Sequence, residues 1–309
     1  MKILGIGNAI VDVICKVSDD YLLQNKLQKG TMKLIFEESE FKELISNLKI
    51  NKTVSGGSVA NSIVGLSQLG NSVGFIGKIS DDKFGAKYED GLKKENVNFF
   101  YSKKKENLPT GICLILITPD SERTMCTYLG ISGKINKNDL NIDSIRKSEI
   151  IFLEGYLWDE GDAKEAFDEA IIQSNKVAMS LSDKFCVDRH KPHFLELVKN
   201  KLDIIFANEN EILSLINTTN FKEVISFAKK INKHLIITRG EKGAISVHNH
   251  EVYEIGSKDN LKIVDLTGAG DLFAAGYLHG FINNLDIKEC LAKGTDMSSK
   301  IIQQIGARL

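Results

Sequence analysis

Proline is nearly missing from this 309-residue sequence, with three in all, and no low-complexity run stands in for it, which excludes a flexible interdomain linker. The five cysteines (Cys15, Cys113, Cys126, Cys186, Cys290) include no Cys-x-x-Cys pair, and their odd number argues against a closed disulfide framework. Buried thiols in a reducing cytoplasm are the expectation. Neither sign of charge is in excess: 40 Lys and Arg face 41 Asp and Glu. No basic field therefore exists for nucleic acid or an anionic membrane, and the expected partner is a small molecule. No apolar run is long enough to span a bilayer, and the stretch Met1-Lys2-Ile3-Leu4-Gly5 meets glycine too soon for a signal-peptide core. A cytoplasmic protein, monomeric or homodimeric, is expected. The six histidines contain no His-Glu-x-x-His and no helical i, i+4 pair, against a zinc site. His190 and His193 flank Pro192 in an expected surface loop. Two nucleotide motifs are absent as well. There is no Gly-x-x-x-x-Gly-Lys, which excludes a P-loop site, and Gly5-x-Gly7 lacks the third glycine and following helix of a dinucleotide fingerprint. No internal repeat is present.

What the sequence does contain is alternation. The length suits one large α/β domain with a small appendage. Apolar runs at 2–6, 73–78, 150–154, 177–181, 204–207 and 235–238 read as buried strands. Helical spacing recurs between them at 40–48, 58–69, 163–174, 194–199, 209–216 and 221–231. The fold class expected is α/β, a doubly wound, mostly parallel sheet flanked by helices. Three β-like runs, 97–101, 111–118 and 123–128, break the alternation and read as a small inserted β-sheet. The expected division is a large domain of residues 1–14, 39–96 and 129–309, with a small β lid of 15–38 and 97–128.

Chemistry concentrates between Lys262 and Leu285. A short apolar strand is expected over 262–264, then the loop Asp265-Leu266-Thr267-Gly268-Ala269-Gly270, then Asp271 opening a helix. Glycines let amides turn inward, and the helix N-terminus adds its dipole, so the loop suits a phosphate oxygen. Asp271 in that field reads either as an ionised base or as an ordinary N-cap. Ser55-Gly56-Gly57-Ser58-Val59-Ala60-Asn61 permits backbone approach to a ligand, and is equally a Gly-Gly turn capped by Ser58. Asn8 and Asp12 lie near the end of the first strand, the edge where such sheets bind ligands. Asn208 and Glu211 form a capping box, or carry the water shell of Mg²⁺. Tyr156 and Trp158 read as core or rim aromatics, with stacking on a purine as the second reading.

The order of these motifs resembles the PfkB carbohydrate and nucleoside kinases of the ribokinase-like fold, over essentially the whole chain. Their Asp-Thr-x-Gly-Ala-Gly-Asp loop is matched with one departure, Leu266 for the Thr of its second position. Gly7-Asn8-Ala9-Ile10-Val11-Asp12, Gly56-Gly57-Ser58-x-x-Asn61-Ser62 and Glu122-Arg123-Thr124 are similar to segments of the adenosine kinases within that family. The resemblance implies transfer of the ATP γ-phosphoryl group to the 5′-hydroxyl of adenosine. A ribose or fructose kinase is the alternative, and a non-catalytic nucleoside-binding relative the third. It implies Asp271 as base, Gly268, Ala269 and Gly270 as anion hole, and Arg123 from the lid near the phosphates. Asn8, Asp12, Gly56, Gly57, Ser58, Asn61 and Thr267 would surround the sugar. Asn208, Thr238, Gly240 and Gly243 would lie along ATP. Mg²⁺ would be held through water by Glu211 and Asn208, and a monovalent cation (K⁺) near Asp265.

Overall fold

Runs of Ile, Leu, Val and Phe flanked by polar turns become the strands of the computed structural model, which describes residues 1–120, 122–159 and 162–309. In chain order these are β1 (Ile3–Ile6), β2 (Ile10–Lys16), β3 (Met32–Ile35), β4 (Ile50–Ser55), β5 (Val73–Ile76), β6 (Asn98–Phe99) and β7 (Gly111–Ile117). They continue with β8 (Arg123–Tyr128), β9 (Ile150–Glu154), β10 (Val177–Ser180), β11 (Ile204–Asn208), β12 (His234–Thr238), β13 (Ala244–His248) and β14 (Glu251–Ile255). One sheet has nine strands in the order β14-β13-β12-β11-β10-β9-β1-β5-β6, and a second has five in the order β3-β8-β7-β2-β4.

The large sheet is parallel from β12 to β6, as the α/β alternation predicts. Its central strands β1, β5 and β9 to β12 are buried on both faces, which is why they read as continuous apolar runs rather than alternating ones. Ile3 and Phe152 enter one core with the helices Ser58–Gln68 and Ala269–Ile282. Leu4 and Leu153 enter the other with Phe167 and Phe194. The helix Ala269–Ile282 is buried along nearly its whole length and presses on the helix Ile287–Ile301. A Cβ at Gly276 would lie 2.3 Å from the Lys293 carbonyl oxygen, so only glycine permits that approach.

Several expectations are corrected. No strand forms over 262–264: Ile263 and Val264 are exposed, and the Val264 and Asp265 amides donate to the Ile302 carbonyl instead of to a sheet neighbour. Two apolar residues, Ile263 and Val264, without a partner strand do not make one. The small sheet is wider than expected. β2 and β4 belong to it, pairing antiparallel with each other, while β2 runs parallel to β7. β4 (INKTVS) is mostly polar because it is an edge strand, so its sequence carried no apolar signal. β6, inside the segment expected in the lid, pairs with β5 of the large sheet. The hairpin β13–β14 was not foreseen and adds antiparallel to β12. Pro192 lies inside a helix, Lys184–Asn200, with the backbone kinked at His190 rather than looped. His193 there stacks on Trp158 with ring centroids 5.4 Å apart, in a cluster with Phe167 and Phe194, so Trp158 is a packing residue.

Candidate active site

Four strands end at one edge of the large sheet on polar residues or directly before them: β1 before Asn8, β9 at Glu154, β11 at Asn208 and β12 at Thr238. The small sheet stands over this edge and carries Asp12 on β2 and Arg123 at the start of β8. At this edge of the large sheet lies a cavity of about 360 Å³, lined among others by Ser58, Asn208, Glu211, Thr238, Gly268 and Asp271. Tyr156 and Leu266 also line it.

The N-cap of the helix Ala269–Ile282 is Gly268, at φ +78°, so Asp271 sits one turn further in than an N-cap. Cap and base readings are thereby separated. Gly270 and Asp271 line the cavity, and neither backbone amide has an acceptor among the described residues. Those free donors at a helix start are what an anion requires. The Asp271 carboxylate is gripped from both sides. Ser58 Oγ donates to Oδ1 at 2.7 Å and Asn61 Nδ2 donates to Oδ2 at 3.0 Å. Ser62 Oγ donates to the Asp271 carbonyl at 2.8 Å. Burial in the crevice pushes the carboxyl up to about 6, opposed by those two hydrogen bonds and the nearby Arg308. It remains mostly ionised at neutral pH.

Gly57, at φ +98°, caps the helix Ser58–Gln68 in place of the expected Ser58, which frees the Ser58 hydroxyl for Asp271. The companion Gly56 packs flat on Asp12: a Cβ there would lie 2.5 Å from Oδ1. Asp12 has no hydrogen-bond donor on its carboxylate among the described residues, and burial raises it to about 7. Asn8 lies beneath, only 1 % exposed. Its amide donates to Glu154 Oε1 at 2.9 Å, and only its Oδ1 lacks a partner.

Glu154 is a residue the sequence reading passed over. It accepts from Asn8 and from the Val59 amide at 3.0 Å, tying the end of β1 to the helix that carries Ser58 and Asn61. Burial raises it to about 7. Its position at a strand's carboxyl end was the available signal. Arg308, also passed over, donates from Nε to Asn61 Oδ1 at 3.1 Å; nothing local marks it.

Arg123 reaches down from the small sheet onto the glycine loop. Its Nη1 lies 2.5 Å from Asp265 Oδ2 and 3.3 Å from Thr267 Oγ1. Asp265 also accepts from the Thr267 amide and hydroxyl and from the Gly306 amide. With four donors on two oxygens, one of them the Arg123 guanidinium, this carboxylate does not fit the expected monovalent cation. Thr267 is thus bonded within the loop, to Asp265, and to Arg123 of the small sheet. Asn208 and Glu211 do form the capping box, with Asn208 N–H and Nδ2 donating to Glu211 at 2.9 and 2.5 Å. Glu211 nevertheless faces the cavity, and burial raises it to about 7. No group of three His, Cys, Asp or Glu able to hold a bare metal occurs among the described residues. A Mg²⁺ ion that keeps most of its water and touches one carboxylate fits this donor set. Gly240 and Gly243 shape the turn into the β12–β13 hairpin rather than lining the cavity. A Cβ at Gly243 would lie 1.9 Å from the Ile255 carbonyl oxygen.

Residues 29–309 match the family described as pfkB family carbohydrate kinase. The structure of adenosine kinase from Sinorhizobium meliloti superposes with a TM-score of 0.91 at 35% identity, covering 100% of this chain and 95% of that one. That of a probable sugar kinase from Rhizobium etli superposes with a TM-score of 0.90 at 34% identity, covering 99% and 94%. Adenosine kinase 2 of Arabidopsis thaliana is 25% identical over 98% of this chain and 94% of that protein.

Proposed function

Because the chain belongs to the pfkB family of carbohydrate kinases, we propose that it transfers the γ-phosphoryl group of ATP to the 5′-hydroxyl of adenosine, giving AMP and ADP. The observation that carries this reading is the pairing in one crevice of Asp271, oriented by two donors beside unoccupied helix amides, with Asp12, a carboxylate left without donors. The first arrangement suits a base next to an anion; the second suits the diol of a ribose. Likeness to the Sinorhizobium meliloti enzyme supports adenosine.

In this reading Asp271 accepts the proton of the 5′-hydroxyl as its oxygen attacks the γ-phosphorus in line and the bond to the β-phosphate oxygen breaks. The Gly270 and Asp271 amides stabilise charge on the transferring group, a role that fixed donors perform without reorganising. Asn208 and Thr238 lie along the ATP, and Gly240 and Gly243 act only by shaping the adjoining turn. Glu211, with Asn208, would hold Mg²⁺ through water, where it would neutralise phosphate charge. The small sheet acts as a lid, and Arg123 anchors it to the glycine loop. Exclusion of water then follows from closure of the two layers.

A sugar kinase of the same family is the second reading, favoured by the near-equal likeness to the probable sugar kinase of Rhizobium etli. A phosphoryl-acceptor panel of adenosine, inosine, guanosine, ribose and fructose with ATP and Mg²⁺ decides between them. Phosphorylation of adenosine at the highest kcat/KM is expected; preference for a free sugar would replace the proposal with the second reading.

A further inference from the structure

Arg308 is the charged group in the crevice that neither the motifs nor the anion loop accounts for. The segment before it is fastened to that loop twice. The Gly306 amide donates to Asp265 Oδ2 at 2.8 Å, and a Cβ at Gly268 would lie 2.7 Å from Ala307 Cα. From there the Arg308 side chain turns inward. Its Nε donates to Asn61 Oδ1 at 3.1 Å, while the other end of the same amide, Nδ2, donates to Asp271 Oδ2 at 3.0 Å. A primary amide has one accepting and one donating end, and a guanidinium only donates. Asn61 is therefore left a single orientation, with its NH₂ on Asp271. Arg308 Nη2 is buried with no acceptor among the described residues.

We propose that Arg308 is a positioning residue for phosphoryl transfer: it orients the Asn61 amide toward Asp271, and its charge lets Asp12 and Asp271 be ionised together. This rests on the reading of Asp271 as the base. Two carboxylates in one desolvated crevice oppose each other's ionisation unless a cation stands with them. Groups that act on Asp271 or come near it are Ser58 and Asn61 from the helix Ser58–Gln68, Asp12 from β2, Glu154 from β9, Tyr156 just after it, and Arg308. Arg123 also acts on Asp12, but it is already paired with Asp265 at 2.5 Å. Arg308 is the guanidinium linked through Asn61 to the base.

The test reads protonation directly. In protein labelled with ¹³C at the Asp carboxyl carbons, with Asp271→Asn assigning the resonance, the Asp271 midpoint is titrated in wild type, Arg308→Gln, Arg308→Lys and Asn61→Ala. Arg308→Gln is expected to raise the midpoint by about one unit, the low end for loss of a nearby opposite charge. Arg308→Lys should hold it near wild type. Asn61→Ala removes the amide donor on Asp271 itself, so it should raise the midpoint whatever Arg308 does and serves as the control that the resonance responds; Arg308→Met repeats the test if the glutamine variant fails to fold. The acid limb of kcat/KM should follow the same order. An Asp271 midpoint unchanged when Arg308 is replaced by Gln, or by Met, would overturn the inference. A panel with no phosphorylated acceptor, alongside shifted midpoints, would instead overturn the proposed function and leave this coupling intact.

Discussion

Asp271 and Asp12 face one crevice from opposite layers and are held in opposite ways. Asp271 rises from a helix packed into the large sheet, with hydroxyl and amide donors at 2.7 and 3.0 Å on its two oxygens. Asp12 sits midway along β2 of the small sheet, against a bare glycine, with no donor among the described residues. Burial raises the first to about 6 and the second to about 7. A buried carboxylate without donors is costly to keep charged, and hydroxyls of a ligand would remove that cost. The layer proposed for chemistry is pre-organised; the layer proposed for recognition is unfinished until something binds.

The strongest way to break this contrast is Asp271→Asn, which keeps the shape and removes the base. Turnover is expected to fall by ~10² to 10⁴-fold, with acceptor affinity within a few-fold of wild type. A variant keeping most of its turnover at saturating acceptor would take Asp271 out of the mechanism. Asp12→Ala should do the converse. Charge-assisted hydrogen bonds of roughly 1.5–3 kcal/mol predict an acceptor KM at least ~10-fold higher with the ATP KM unmoved. The loss should be smaller for 2′-deoxyadenosine, which lacks one hydroxyl; equal losses for both nucleosides would make Asp12 a strand residue only.

A smaller effect comes from protons shared by both layers. Asp12, Glu154 and Glu211 stand near 7 and Asp271 near 6, above ordinary values of 3.8 for Asp and 4.5 for Glu. Between those two sets the folded chain binds more protons than the unfolded one, so stability falls as pH rises through that window. The melting temperature of the ligand-free protein should accordingly be higher near pH 5 than near pH 8. A melting point that climbs over that interval would mean the crevice is better solvated than its geometry indicates. Smallest of all should be a difference in hydrogen exchange. Strands β2, β3, β4, β7 and β8 should exchange faster than β1, β9 and β11 without ligand and slow down with adenosine. Identical protection of the two sheets in both conditions would remove the lid from the account.

Legibility followed the range of the physics. The strands β1, β5 and β9 to β12 were readable because burial on both faces writes an uninterrupted apolar run into a short window. β4 was not, because an edge strand presents polar residues and shows its role only through pairing with β2. The 262–264 segment misled for the reverse reason: its two apolar residues, Ile263 and Val264, look like part of a strand, yet they pair with no strand among the described residues and stay exposed. In the site, Asp271, Gly268 and Gly270 were legible as a local turn chemistry. Asn208 with Glu211 was legible as a capping box, and the structure adds that the same box opens on the cavity.

By itself, then, the sequence determined the α/β class, the glycine loop and the carboxylate one turn into its helix, because backbone turns and helix starts are built from residues a few positions apart. Only the tertiary structure decided what holds that carboxylate. Ser58 and Asn61 lie 213 and 210 residues from Asp271, and Arg308 lies 247 from Asn61. It likewise decided that Asp12 is left without a donor among the described residues and that Arg123 is spent on Asp265. Hydrogen bonds act over about 3 Å, and no local pattern records which distant side chains the packing of two sheets will bring within that distance.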